Sequence, residues 1–463
     1  MGLVLQAVLA GVLLWSGFAP IEFPFGPFLG LFLLMRGLIN NPLKVRLYFS
    51  LTSGFSFFLP LLHWSSSYVG WIPWVSLATL QSLIFAVIAI YPLRKSVDSI
   101  FLFAACFTLI EIVRMKWPFG GFGWGRVGHT QVELLSGLYP IIGVAGITFL
   151  VAFLAGTLGL SMTKSFIFIP FPILLAVLMP IPAASGVVNV SAVQGGVEAL
   201  GFEYNQRALS VLKRHADLSL AVPSKTNLVI WPENASDIDP FENMQARTII
   251  AEYIKRVNAP VLVGAVLQSD LGPKNASILY QSDGAIGSVY IKQDLAPFGE
   301  YMPIRRVAEF VSAEATRVKD FQPGSEWISH EIEGKSFQSI ICFEVLDDDF
   351  LRHGLNEQEF VVAQTNNATF GRSPQAAQQL QIIRARAAEF QRDFAVVSTT
   401  GYTAHVNARG EILAELEQFE PGVLEMEIET RDENSLATHL GSSFWIGLFL
   451  LILAINMRSV YRR

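Results

Sequence analysis

Three side chains capable of covalent chemistry stand where apolar runs of the chain come to an end. They are Glu233 in IWPEN, Lys292 in VYIKQDLAPFGE and Cys342 in SIICFEVLDDDF. A thiol becomes a nucleophile when a base removes its proton, a carboxylate can be that base, and an ammonium beside the reacting carbonyl stabilises the oxyanion. Singly, each has a plainer reading: a Glu or Lys at a strand end is a solvated charge, and a cysteine in an apolar run is a small core hydrophobe. Together they fill the three roles of nucleophile, base and oxyanion partner. The second cysteine, Cys106, lies in an apolar stretch, so both thiols are expected to be free. The seven histidines show no metal-ligand spacing, and neither a metal nor a soluble cofactor is expected. Asp347, Asp348 and Asp349 form an acidic run that reads as a solvated loop. GTLGLSMTKS at 156–165 lacks the glycine that precedes the lysine of a phosphate loop, and is read as a helix end with a cytoplasmic Lys164.

Strand-like runs begin at Val187, Asn227, Ala259, Ala276, Phe337, Glu359, Phe394 and Gly422. Helix-like stretches fall at 204–216, 244–256 and 375–392, and turns at Asp283-Gly284 and 407–410 join hairpins. Strands alternating with helices predict an α/β domain over residues 187–439, with functional groups at strand ends.

The rest of the chain is more apolar than a soluble protein allows. Of its 463 residues 52% are hydrophobic and 16% charged, and the mean hydropathy is +0.43. The net charge of −6 supplies no basic surface for nucleic acid, and that class is set aside. Crossing a bilayer takes about 20 mostly apolar residues. Spans are expected near residues 2–18, 27–38, 48–62, 75–93, 100–113, 141–160 and 166–181, making a helical region over 1–186, with a last span at 444–457 inside a C-terminal segment 440–463. The first span lacks a basic n-region and is read as an anchor rather than a cleaved signal. Arg36, Lys44, Arg46, Arg94, Lys95, Lys164, Arg458, Arg462 and Arg463 then lie in the cytoplasm, and the α/β domain lies outside. Arg114, Lys116 and Arg126 break this pattern.

Glu233, Lys292 and Cys342, in the contexts WPE, K-x-x-L-x-P-F-G-E and C-F-E, resemble the Glu-Lys-Cys triad of the nitrilase superfamily. The flanking spans, PFGEYMP at 297–303, NNATFG, RARAAE at 384–389 and GFGWGRVGHTQ at 121–131 narrow the resemblance to the apolipoprotein N-acyltransferase family. The resemblance implies a four-layer αββα domain inserted into a polytopic helical membrane domain. It implies acyl transfer from a phospholipid to Cys342 as a thioester, then to the α-amino group of the N-terminal diacylglyceryl-cysteine of an apolipoprotein. Glu233 would be the general base and acid and Lys292 the oxyanion partner, aided by the N–H of Phe343, with Glu300 and Glu344 in support. Phe298, Tyr301, Met302, Trp327 and Phe370 are candidates to line an acyl cleft or enter the membrane interface. The chain departs from the family pattern at Phe343, at Gly196, Phe202 and Tyr204, at Asp294, and at Thr399 or Thr400. Two other functions use the same residues differently: a membrane-anchored amidase that hydrolyses a small amide, and a transporter or scaffold with a non-catalytic outer domain. A transporter needs ionisable groups in its spans, where the chain has mainly Glu111.

Overall fold

Alternation with a period of two sorts the strand side chains between separate cores. Along β1 (Gly186–Gln194), Val188, Val190 and Ala192 face one core, and Val193 faces another. The same holds along β8 (Phe360–Thr365), where Phe360 and Val362 point opposite to Val361 and Ala363. The computed structural model describes residues 2–67, 70–160, 170–197, 208–311, 315–316 and 319–461. Lys164, Phe202, Tyr204, Arg462 and Arg463, with the starts of the stretches expected at 166–181 and 204–216, lie outside the described residues.

The remaining strands are β2 (Leu228–Ile230), β3 (Val261–Leu267), β4 (Lys274–Tyr280), β5 (Ile286–Ile291), β6 (His330–Ile332), β7 (Lys335–Ile341), β9 (Phe394–Ser398), β10 (Thr403–Val406), β11 (Ile412–Leu416) and β12 (Gly422–Thr430). They form two six-stranded sheets, ordered β12-β1-β2-β3-β4-β5 and β11-β10-β9-β8-β7-β6. Each sheet has a parallel centre, β1-β2-β3 in one and β7-β8-β9 in the other. Parallel strands covered on both faces read as continuous apolar runs, which is why these were visible. β6 and β11 were not among the expected runs: the first is three residues long, and the second is a five-residue edge strand with Glu415 inside it and no fully buried position.

The core between the sheets joins Val188, Ile230, Leu262, Leu279, Phe337, Phe360, Val397 and Ile428. Helices Ala208–Leu218 and Met244–Val257 cover the outer face of the first sheet. Helices Asp348–Gly354 and Gln375–Phe390 cover the second, completing four layers. The outermost of these layers is buried in turn. One apolar core runs from Val361, Val396 and Leu380 through Trp124 and Val127 to Leu14, Phe58 and Ala152 of the N-terminal helices.

Those helices are Gly2–Ser16, Gly26–Leu38, Leu43–Leu61, Trp71–Phe85, Val97–Lys116, Tyr139–Leu160 and Pro170–Leu178, with Ser442–Tyr461 returning from the far end of the chain. Eight spans were expected. Among the described residues two helical stretches, Trp71–Ile90 and Val132–Leu160, are long and apolar enough to cross a membrane, and Gly2–Ser16, Gly26–Leu38 and Ser442–Asn456 are shorter apolar helices. Val97–Lys116 falls short because it carries Asp98, Glu111, Arg114 and Lys116.

The acidic run is not the solvated loop expected. Asp347 caps the helix it precedes and pairs with Lys116 at 2.7 Å. Asp348 sits between Arg126 at 2.5 Å and Arg386 at 2.7 Å, and Asp349 accepts from the Ser442 N–H. Two of the basic residues that broke the charge pattern, Lys116 and Arg126, therefore fasten the helices to the α/β domain. Arg114 turns inward and donates to the carbonyl of Trp124 at 2.7 Å. Glu111, the candidate transport residue, accepts from the Val127 N–H and the Thr148 hydroxyl, which locks it in place.

Candidate active site

All three candidate residues lie just past strand ends and converge, Lys292 and Cys342 at the first residue beyond and Glu233 at the third. Glu233 comes after β2, Lys292 after β5 and Cys342 after β7, so one sheet supplies the carboxylate and the amine and the other supplies the thiol. The sheets are tied beneath them. Ser277 donates to Gln364 at 2.6 Å and meets Ser339 at 3.0 Å, and Gln364 donates to the carbonyl of Trp231. Gly264 lets the Glu233 loop lie flat on β3, since a Cβ there would come within 2.1 Å of the Pro232 carbonyl.

Lys292 is buried, with its ammonium 2.8 Å from Glu300 and 3.8 Å from Glu233. Burial alone would lower its pKa, but the two carboxylates outweigh that and raise it, so the amine stays charged. Burial pushes the Glu233 carboxyl up, Lys292 pulls it down and Glu300 pushes it up again, with a net rise. Asn275, which was not a candidate, donates to Glu233 at 2.7 Å and to Glu300 at 3.3 Å. Its only sequence signal is an amide inside the apolar strand KNASILY.

Cys342 is a free, half-buried thiol with φ of 51°. A left-handed conformation at a residue other than glycine stores strain, which is common where a nucleophile is presented at a turn. Burial and the Glu233 carboxylate push its thiol well above the ordinary range, against the pull of Lys292. A proton held so tightly would have to pass to a base before this sulfur could act as a nucleophile. Glu344, two residues on, folds back into the protein. It accepts from the N–H groups of Ile341 and Gln293 and from the Tyr290 hydroxyl, at 2.7–2.8 Å, so it fixes the turn that carries the thiol. Burial pushes its carboxyl up to about 7.

The candidate cleft residues divide. Phe298 is 44% exposed and meets Phe119 edge-on, and the Tyr301 hydroxyl donates to the Phe119 carbonyl. Phe370 packs edge-on against Trp64, and Met302 is buried. Trp327 stands apart. It stacks on Tyr290, meets Phe350 at a tilt and fills the space over Gly354, so it covers a helix and packs with a different set of rings from Phe298 and Phe370. Aromatic residues from the helical region pack beside the turn that carries Cys342. Phe122 stacks on Phe343 and on Trp124, and Trp124 meets Trp64. No local pattern could have assigned Trp64 to Phe370 or Phe122 to Phe343, partners more than two hundred positions away.

Over residues 10–157 the chain matches the apolipoprotein N-acyltransferase N-terminal domain, and over 189–437 carbon-nitrogen hydrolase. It is 31% identical to an apolipoprotein N-acyltransferase of Mycolicibacterium smegmatis, over 94% of this chain and 81% of that one. A Haemophilus influenzae protein of the same name is 27% identical over 83% and 80%. Among solved structures, an amidase from Nesterenkonia sp. aligns with 55% of this chain and 94% of its own, at 15% identity and a TM-score of 0.38. The two family matches and the relative from M. smegmatis place the chain in the apolipoprotein N-acyltransferase family.

Proposed function

We propose that this protein moves an acyl chain from a phospholipid to the α-amino group of the diacylglyceryl-cysteine at the N-terminus of an apolipoprotein, through a thioester on Cys342. Glu233 takes the proton of Sγ as the sulfur attacks the ester carbonyl. The negative charge on the tetrahedral oxygen is met by the Lys292 ammonium and the Phe343 N–H. As the C–O bond breaks, Glu233 returns the proton to the departing glycerol oxygen, and the lysophospholipid leaves. In the second half the acceptor amine attacks the thioester carbonyl, gives its proton to Glu233, and the thiolate leaves and is reprotonated. Phe298, Tyr301 and Phe370 contact the lipid chains.

The observation that carries this reading is the core shared between the α/β domain and the apolar helices, with Cys342 beside the aromatic bridge that joins them. Two substrates anchored in one bilayer reach such a site in turn, and a covalent intermediate lets them do so. We read the helices as a multi-pass membrane domain and place the active site on the extracytoplasmic face. The test is incubation with phospholipid alone. It should leave an acyl group on Cys342 that neutral hydroxylamine removes, and adding a diacylglyceryl lipopeptide should clear it with formation of an N-acyl product. An amidase would instead release the acyl group to water and hydrolyse small amides, and acylation of Cys106 would overturn the assignment.

A further inference from the structure

The helix Gln375–Phe390 carries four glutamines in its first two turns, and all four are buried: Gln375, Gln378, Gln379 and Gln381. Gln379 reaches the reacting sulfur. Its Nε2 lies 3.6 Å from Cys342 Sγ and 3.2 Å from the Cys342 carbonyl oxygen. Two contacts fix which end of the amide faces the thiol. The Cys342 carbonyl can only accept, so the group against it is the NH2. On the other side, Gln379 Oε1 accepts from Asn367 Nδ2 at 2.9 Å. Asn367 is held the same way round: its Oδ1 accepts from the hydroxyls of Ser398 at 2.7 Å and Thr365 at 3.1 Å, and its Nδ2 also donates to Gln375. The fit is close, since a Cβ at Gly401 would stand 2.2 Å from that Oδ1.

We propose that Gln379 is a catalytic residue, whose side-chain N–H donates to the Cys342 thiolate as it forms and holds the sulfur toward Glu233. The proposal rests on Cys342 being the nucleophile. An amide exchanges no proton, so the proton still passes from Sγ to Glu233, and Gln379 adds a donor to the charge left behind. Its neighbours tie that donor to the helices. Gln378 donates to the carbonyls of Ala19 and Leu61 and accepts from the indoles of Trp64 and Trp124, and Gln381 donates to the Gly17 carbonyl. The third partner of the sulfur is thus positioned by the helical region as well as by the α/β domain.

The test uses the full chain with Cys106→Ser, leaving one thiol, and reads the alkylation of Cys342 by iodoacetamide against pH. Gln379→Glu keeps the shape and the Asn367 contact but replaces the donor by an acceptor, and Gln379→Ala removes it. Loss of a hydrogen bond to a charged group is worth roughly tenfold or more. The alkylation midpoint should move up by about one pH unit in Gln379→Ala and further in Gln379→Glu, with acylation by phospholipid falling about 10- to 100-fold. A purely structural role would lower the melting temperature of both variants and leave the midpoint in place, which would overturn the proposal. So would acylation within about twofold of the parent in Gln379→Glu. If Cys342 were not the nucleophile, the parent itself would fail to acylate, and the alkylation profile would still report on Gln379.

Discussion

Lys292 is where charge and packing can be separated most directly. Its ammonium lies between two carboxylates in a site that excludes most water, so it is already oriented before an oxyanion forms. Lys292→Ala should reduce thioester formation by about 10² to 10³. It also leaves Glu233 and Glu300 facing each other, which raises the pKa of Glu233 further. Lys292→Arg should fail nearly as badly, because a planar guanidinium cannot occupy the place of a compact ammonium. An active Arg variant would reduce Lys292 to a structural charge. In the proposed mechanism the pH dependence belongs to Glu233. The base works only when ionised, and burial raises its carboxyl above the ordinary value of 4.5. The rate of acyl-enzyme formation should therefore rise with pH along a limb centred above 4.5. That limb should disappear, along with nearly all activity, in Glu233→Gln. A limb at or below 4.5 would mean that another group is the base.

The helix that begins at Asp348 shows what a short element can do when its charges are buried. Burial would raise the Asp348 carboxyl, but Arg126 and Arg386 overcome it and hold the group well below the usual carboxylate range. Arg386 also donates to the carbonyls of Val345 and Leu346, in the turn that carries Cys342. Asp348→Ala removes the carboxylate that two buried guanidinium groups share, leaving Arg386 with Glu389 and Arg126 with Glu111 at 3.9 Å, and should destabilise the protein by at most about 3–5 kcal/mol. A depressed carboxyl contributes its stability above the unfolded pKa, near 3.8, and loses it as pH falls through the lower folded value. The gap in melting temperature between the parent and Asp348→Asn should thus be constant at neutral pH and shrink below about pH 4. A gap independent of pH would show that the carboxylate is not what Arg126 and Arg386 require. This element also marks the limit of reading the sequence. Glu233, Lys292 and Cys342 were legible because each interrupts an apolar run, and the parallel strands because both their faces are buried. The acidic run was misread because its partners Lys116 and Arg126 are more than two hundred residues away. Asn275 and Gln379 left no trace beyond a polar residue in a buried element. Trp327 was grouped with the cleft aromatics because composition cannot say which face of a loop a ring will cover.

At the scale of the molecule, the proposed orientation across the membrane rests on where the two ends of one helix lie. Val97–Lys116 has 20 residues and spans about 30 Å. At its C-terminal end Lys116 grips Asp347 beside the active site. At its N-terminal end the chain meets the preceding loops: Asn40 donates to the Leu93 carbonyl and Arg46 to that of Tyr91. Arg36, Lys44, Arg46, Arg94 and Lys95 thus gather away from the active site. Short basic loops stay in the cytoplasm. The basic residues on the opposite side, Arg114, Lys116 and Arg126, are engaged in contacts with the α/β domain and neighbouring helices and need not obey the same bias. The hypothesis is that the α/β domain faces outward. With both native thiols replaced by serine, Leu271→Cys puts a thiol at a position 82% exposed on the α/β domain, and Pro92→Cys puts one in the basic loop. A membrane-impermeant maleimide applied to intact spheroplasts should label the first, and should reach the second only after lysis. The opposite order of labelling would place the domain in the cytoplasm. It would then separate the active site from any acceptor that has already crossed the membrane, and the proposed lipoprotein substrate would have to be abandoned even if Cys342 still formed a thioester.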